Sequence, residues 1–303
     1  MRRILSLLAL LIIAWGMSSC GDSIREKKEL QRQQQVADSL ALKVATLPTL
    51  DCLPIFVAYQ NDFFKSQGVD VKLMEYEAQI DCDRALTKKH VECAVSDIFR
   101  AERMRKDDSG IKFITSTSAY WQLIANQKAR VKEIRQLSEK MIGMARYSAT
   151  DYLTNVALDS VRPDNQVFRI QVNDVIVRLG MLLNNSMDAV FLTEPQATTA
   201  RLAGHRVLMD SRNKGLSMGA IISRGGINDQ HRQKQIEGFT KAYNMACDSI
   251  NRYGMQHYAD VINRYCHADD ATVKALPKIV FEHATQPKAS DLEKTKNVKW
   301  RLN

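Results

Sequence analysis

A chain of 303 residues is long enough for two domains or one large one. Its composition, 45% hydrophobic and 25% charged with only 13 glycines and 6 prolines, excludes wholesale disorder and collagen-like or low-complexity architecture. A net charge of +9, dispersed along the chain, is too mild to mark a nucleic-acid surface, so no nucleic-acid partner is expected.

The chain opens on Met1-Arg2-Arg3, followed by an apolar run from Ile4 to Met17 and then Ser18-Ser19-Cys20-Gly21. This is the charged start, apolar stretch and small-residue cleavage site of a secretory signal over 1–19. The run falls short of the roughly 20 residues needed to span a bilayer. Cys20 after two small residues resembles a bacterial lipobox, with Met17 where Leu is commonest. The resemblance implies cleavage before Cys20, lipid attachment to it, and anchoring at the periplasmic face of a bacterial membrane or at the outer cell surface. Residues 20–39 are polar and of mixed charge and read as a tether. The other cysteines, Cys52, Cys82, Cys93, Cys247 and Cys266, match no metal or redox spacing, and small buried hydrophobes account for them.

From Leu42 the hydrophobic pattern alternates between short strands and helices. Strands are expected at Leu42–Leu47, Val69–Leu73, Cys93–Val95, Ile111–Thr115 and Tyr120–Ala125, with helices at Leu53–Phe64, Asp81–Lys88 and Ile98–Arg105 between them. A second run repeats the alternation. Its strands are expected at Met141–Ala145, Val167–Val172, Ala189–Phe191, Arg206–Leu208 and Gly219–Ser223, and its helices follow Ser148, Val175 and Pro195. Mainly parallel sheets with helices on both faces follow from this order. Ile236, Phe239, Tyr243, Ala246 and Ile250 then mark one long amphipathic helix, and Trp300 is expected to pack the C-terminal segment onto the body.

Four stretches together resemble the type II solute-binding proteins of ABC importers, in the branch serving nitrate, alkanesulfonates, taurine and thiamine-type pyrimidines. The first runs from Leu53-Pro54 through Val57-Ala58 and Phe63-Phe64 to Gly68-Val69-Asp70-Val71, with Asn61-Asp62 where the family usually has Gly. The second is Ala85-Leu86, Val91-Glu92-Cys93-Ala94 and Asp97, with Lys89 or His90 replacing a usual Gly. The third is Asp188-Ala189 with Glu194-Pro195 and Ala197, and the fourth is Val207-Leu208-Met209-Asp210 with the Ile221–Arg224 strand and the helix after it. The resemblance covers about residues 42 to 265. It implies an α/β fold of two doubly wound lobes joined by a two-segment hinge, lobe one being 40–117 plus 209–303 and lobe two 118–208. The crossings are placed near Ser116–Ala119 and Leu208–Arg212.

In open α/β sheets a ligand sits beyond the carboxyl ends of the strands, beside helix N-termini. That rule selects Leu50, Asp51, Ser96, Asp97, Ser116, Thr117 and Ser118, with Arg146, Tyr147, Ser148, Thr193 and Glu194, as ligand-binding residues. Arg146 suits a carboxylate, sulfonate or phosphate. Tyr147, Tyr120 and Trp121 offer flat surfaces, although Trp121, within an apolar strand, reads rather as core. Asp51, Asp97 and Ser148 read equally as helix caps, and Glu194-Pro195 as a helix start.

No serine-hydrolase, zinc-protease, phosphate-loop or dinucleotide motif is present, and the six histidines are scattered, so neither catalysis nor a metal or other cofactor is expected. The chain therefore reads as a lipid-anchored binding protein of an ABC importer, taking a small polar or anionic solute and partnering a permease and its ATPase. The alternative is a surface-exposed lipoprotein without a transporter, or an enzyme of the same fold acting in pyrimidine or menaquinone precursor metabolism.

Overall fold

The computed structural model describes residues 25, 27–29, 32, 40–225 and 229–301. The signal segment and Cys20 lie outside the described residues. Of the tether, Arg25, Lys27–Glu29 and Arg32 are helical and exposed. The chain divides into two units, Met1–Ala41 and Leu42–Asn303. Among the described residues no helix is long and apolar enough to cross a membrane.

The second unit holds two five-stranded sheets. The first is built from β1 (Leu42–Thr46), β2 (Val71–Glu75), β3 (Cys93–Asp97), β4 (Ile111–Ser116) and β10 (Gly219–Arg224), in the order β2-β1-β3-β10-β4. The second is built from β5 (Gln122–Ala125), β6 (Met141–Met144), β7 (Phe168–Gln171), β8 (Ala189–Leu192) and β9 (Arg206–Asp210), in the order β7-β6-β8-β5-β9. Each sheet is mainly parallel, as expected, with four strands running one way and a single strand reversed. In each, the strand that the chain forms on arriving from the other sheet inserts antiparallel: β10 between β3 and β4, and β5 between β8 and β9. A strand entered from the opposite lobe runs back across the sheet, so its direction is reversed. The same reversal twice gives two lobes of matching topology joined by two crossings.

The helices are α1 (Leu53–Gln60), α2 (Phe63–Ser66), α3 (Gln79–Thr87), α4 (Ile98–Asp107), α5 (Ala149–Val161), α6 (Val175–Leu183), α7 (Gln196–Leu202), α8 (Gln230–Tyr253), α9 (Ala259–Cys266), α10 (Asp270–Ala275) and α11 (Ala289–Lys296). The single helix expected over Leu53–Phe64 is broken at Asp62, whose φ of 54° lies in the left-handed region. A Gly would take that conformation at little cost, and the family pattern has one there. Lys89, at φ 62°, repeats the substitution at the second family glycine.

The first lobe's core packs α1 against α8 and α9. Phe56 stacks on Tyr265 at 4.5 Å between ring centres, and Phe64 stacks on Phe239 at 5.1 Å. The five described cysteines outside the tether are buried and unpaired.

The crossings run through residues 117–121 and 211–218 and are bonded to each other. Ser211 N–H donates to Trp121 O at 3.0 Å, and Trp121 N–H donates to Ser211 Oγ at 3.0 Å. The C-terminal segment adds a third connection. Trp300 meets Phe99 of α4 and Tyr147 edge-on at 6.0 and 5.6 Å, and Asn155 of α5 donates to Lys299 O at 3.1 Å.

Candidate functional site

A cavity of about 50 Å³ lies between the carboxyl ends of the two sheets' parallel strands. At ~10–15 Å³ per water it has room for roughly three to five. Every strand end on the rim contributes. After β1 come Thr49 and Asp51, after β2 Glu77 and Gln79, and at the end of β3 Ser96 and Asp97. From the second sheet come Ser148 and Thr150 after β6, Asn173 and Arg178 after β7, and Thr193 after β8.

The lobes touch around this cavity. Leu50 N–H donates to Glu194 O at 2.8 Å, and Gln196 Nε2 donates to Pro48 O at 2.7 Å. Ala78 and Asp174, from the loops after the two edge strands, form an antiparallel bridge. The ring of Phe99 stacks on that of Tyr152 at 4.6 Å. These contacts hold the two lobes against each other around the cavity.

The charged groups of the cavity are unevenly divided. Asp51 is buried, with Thr117 Oγ donating to its Oδ2 at 3.3 Å. Desolvation raises its carboxyl pKa against the pull of the Thr49 and Thr117 hydroxyls. Asp97 caps α4, its Oδ1 accepting from the N–H groups of Phe99 and Arg100 at 3.0 and 3.1 Å. Burial raises that carboxyl to about 6, opposed by Arg100 and by the backbone N–H groups of Arg100 and, from across the cleft, Ala149. Arg178 faces them from the second lobe, with 5% of its surface exposed. Its Nη1 donates to Val172 O at 2.9 Å while its Nε has no partner. Burial lowers its pKa to about 10, against the attraction of Asp174.

The sequence-selected residues divide accordingly. Asp51, Ser96, Asp97, Ser148 and Thr193 line the cavity. Thr117 reaches its floor through Asp51 and, with Ser116 and Ser118, lines a separate groove at the crossings. Ser116 is bonded to Thr285 there. Leu50 is buried in the first lobe's core. Arg146 turns away from the cleft, its Nη1 donating to Arg301 O at 2.8 Å. Tyr147, at φ 57°, lies under Arg103 and against Trp300. Glu194 is 1% exposed and holds the loop after β8. Its carboxylate takes the Tyr120 hydroxyl at 2.8 Å, the Thr198 N–H and hydroxyl at 2.9 and 2.6 Å, and Arg201 at 2.9 Å. Trp121, which also reads as core in sequence, lines the cavity half-exposed.

Glu77, Gln79, Asn173 and Arg178 escaped the sequence reading. All four follow the edge strands β2 and β7; the strand-end rule applied to those two strands selects Glu77, Gln79 and Asn173, whereas Arg178 lies a turn into α6. Among the described residues no group of three or more His, Cys, Asp or Glu side chains is placed to hold a metal ion.

Solved structures share this architecture. A ligand-binding component of an ABC-type import system from Staphylococcus aureus superposes with a TM-score of 0.70 at 14% identity, over 84% of this chain and 89% of that one. The alkanesulfonate-binding protein of Xanthomonas axonopodis pv. citri gives 0.68 at 14%, over 84% and 89%. The periplasmic nitrate-binding protein of Synechocystis gives 0.65 at 11%, over 77% and 68%. At such identities the likeness establishes the two-lobed fold of periplasmic binding proteins. No curated protein matches the chain in sequence. The family model described as NMT1/THI5 like matches residues 49–250. That span takes in every strand except β1, both crossings and every cavity residue named above, and by it the chain belongs to the NMT1/THI5-like family.

Proposed function

We propose that the chain is a lipid-anchored substrate-binding protein that captures a small polar solute between its lobes and presents it to an ABC permease and its ATPase. On this reading Cys20 carries the lipid, the lobes comprise 40–117 with 209–303 and 118–208, and the ligand is held by Asp51, Ser96, Asp97, Ser148, Thr193 and Arg178. The observation that carries the proposal is the cavity between two lobes, lined from both by strand-end residues. Hinge closure over a solute turns binding energy into a shape that a permease distinguishes from the empty form. Bridging contacts such as Leu50 to Glu194 are the ones that opening would break.

Thermal unfolding of the full chain in detergent, across a panel of small polar solutes, tests the capture. A ligand at 100 times its Kd adds about 2.7 kcal/mol of stability, worth a rise of a few degrees. A midpoint unmoved by every solute contradicts the proposal. For the anchor, Cys20→Ala is expected to move the protein from the membrane to the soluble fraction.

A further inference from the structure

We propose that the cleft selects a small ligand with a cationic nitrogen at one end and a hydrogen-bond acceptor at the other, and rejects small free anions. The inference rests on the capture reading above and assigns the chemistry of the captured solute.

The first argument is the charge of the walls. The first lobe presents the carboxylates of Asp51 and Asp97 inside the cavity and of Glu77 at its mouth, where His267 lies 3.8 Å from it. The second lobe answers with the single guanidinium of Arg178. A free anion closed into this space meets more negative than positive charge, where little water screens it. An ammonium group meets what it needs. Asp51 shows the same preference, since its buried carboxylate has hydroxyl partners and no cation among its hydrogen bonds.

The second argument is that the helix start best placed to hold an anion is filled by the protein itself. At the N-terminus of α5, Thr150 N–H donates to Ser148 Oγ at 3.1 Å and Tyr147 N–H donates to Asp151 Oδ2 at 2.9 Å. The Ala149 N–H lies toward the carboxylate of Asp97. The positive end of that helix, which elsewhere attracts a bound anion, here faces a side-chain carboxylate from the opposite lobe.

The third argument fixes the other end of the ligand. Arg178 is nine-tenths buried and lines the cavity from the second lobe. Its guanidinium is the cation of the cavity wall, and a hydroxyl or carboxylate oxygen on the ligand pairs with it. The ligand thus spans the cleft, nitrogen to the first lobe and oxygen to the second, and closure brings both contacts together.

Calorimetric titration of the full chain in detergent at neutral pH decides the matter, with ethanolamine and β-alanine as amine probes and nitrate, methanesulfonate and acetate as anion probes. At least one amine is expected to bind tenfold or more tightly than any anion. Asp51→Asn is expected to weaken that amine at least tenfold, and Arg178→Met to weaken β-alanine more than ethanolamine. Glu77→Gln, at the exposed mouth, provides a variant that leaves the core untouched and is expected to weaken the amine several-fold. Tighter binding of an anion overturns the charge assignment and leaves solute capture standing. Amine binding indifferent to Asp51→Asn and to Glu77→Gln overturns the assignment to these carboxylates. Binding of neither class overturns the inference and the capture reading with it.

Discussion

The hydroxyl of Tyr120 donates to Oε1 of Glu194 at 2.8 Å, tying the first crossing to the turn that carries Thr193 into the cavity. Arg212, in the return crossing, lies over the Tyr120 ring with its guanidinium carbon 3.8 Å from the ring centre, so both crossings meet at this point. Glu194→Ala removes acceptors from Tyr120, Thr198 and Arg201 at a position sealed from solvent. Breaking such a buried pair costs ~3 kcal/mol. Urea unfolding is expected to show an unfolding free energy lowered by that amount. A loss below about 0.5 kcal/mol would mean the network does not hold the loop.

Gly219 sits where the return crossing enters the first sheet, and its carbonyl accepts the Thr117 N–H at 2.9 Å. A Cβ there would stand 2.2 Å from Thr117 Oγ1 and 2.5 Å from the Ala119 Cβ. Neither distance is tolerable, so the crossings must separate to admit even one methyl group. Gly219→Ala is expected to destabilise the protein by about 1–3 kcal/mol and, because Thr117 also bonds Asp51, to weaken solute binding. Denaturation and binding measured on the same variant check both effects.

Lys89 carries a side chain in the left-handed region, at φ 62°. That conformation costs a non-glycine residue about 1–2 kcal/mol, of which Gly recovers most after its own entropy loss. Lys89→Gly is expected to raise the unfolding free energy by about 0.5–1 kcal/mol, read from the denaturation midpoint. A loss of stability would show that the Lys89 side chain contributes more than its backbone costs.

Asp97 sets a pH dependence. Its carboxyl rises from 3.8 in the unfolded chain to about 6 in the folded protein. Between those values the folded state keeps a proton that the unfolded state has released. The stability contribution of Asp97 is therefore complete below the unfolded value and is lost as pH rises through the folded one. Asp97→Asn keeps a good cap for α4 and removes the titration. From pH ~4 to ~6.5 the wild type is expected to lose stability relative to the variant, by about 2 kcal/mol of the ~3 kcal/mol that the whole shift is worth at 1.36 kcal/mol per pKa unit. Parallel stability curves would contradict the burial argument.

Most strand positions were legible because short buried strands such as Ala189–Leu192 carry an unbroken apolar run between turn residues. The lobed fold was legible through the order of soft motifs rather than any one of them. The one reversed strand in each sheet was not, because the apolar pattern of β5 or β10 records burial and says nothing of strand direction. In the site, Asp51, Ser96 and Thr193 follow strands whose pattern is plain. Arg146 illustrates the opposite case: it follows a clear strand, yet its side chain is drawn off by Arg301, more than a hundred residues away in sequence. Arg178 sits one turn into α6, past a short strand with the exposed Phe168 at its start, where a local pattern gives an arginine no reason to be buried.

Native mass spectrometry of the full chain, taken from the cells that make it and released gently from detergent, tests the central claim most directly. The account predicts one small-molecule adduct per folded chain, additional to the lipid on Cys20 and lost when the chain is unfolded. A folded chain carrying the lipid alone, and gaining no adduct when small polar solutes are added back, would contradict it.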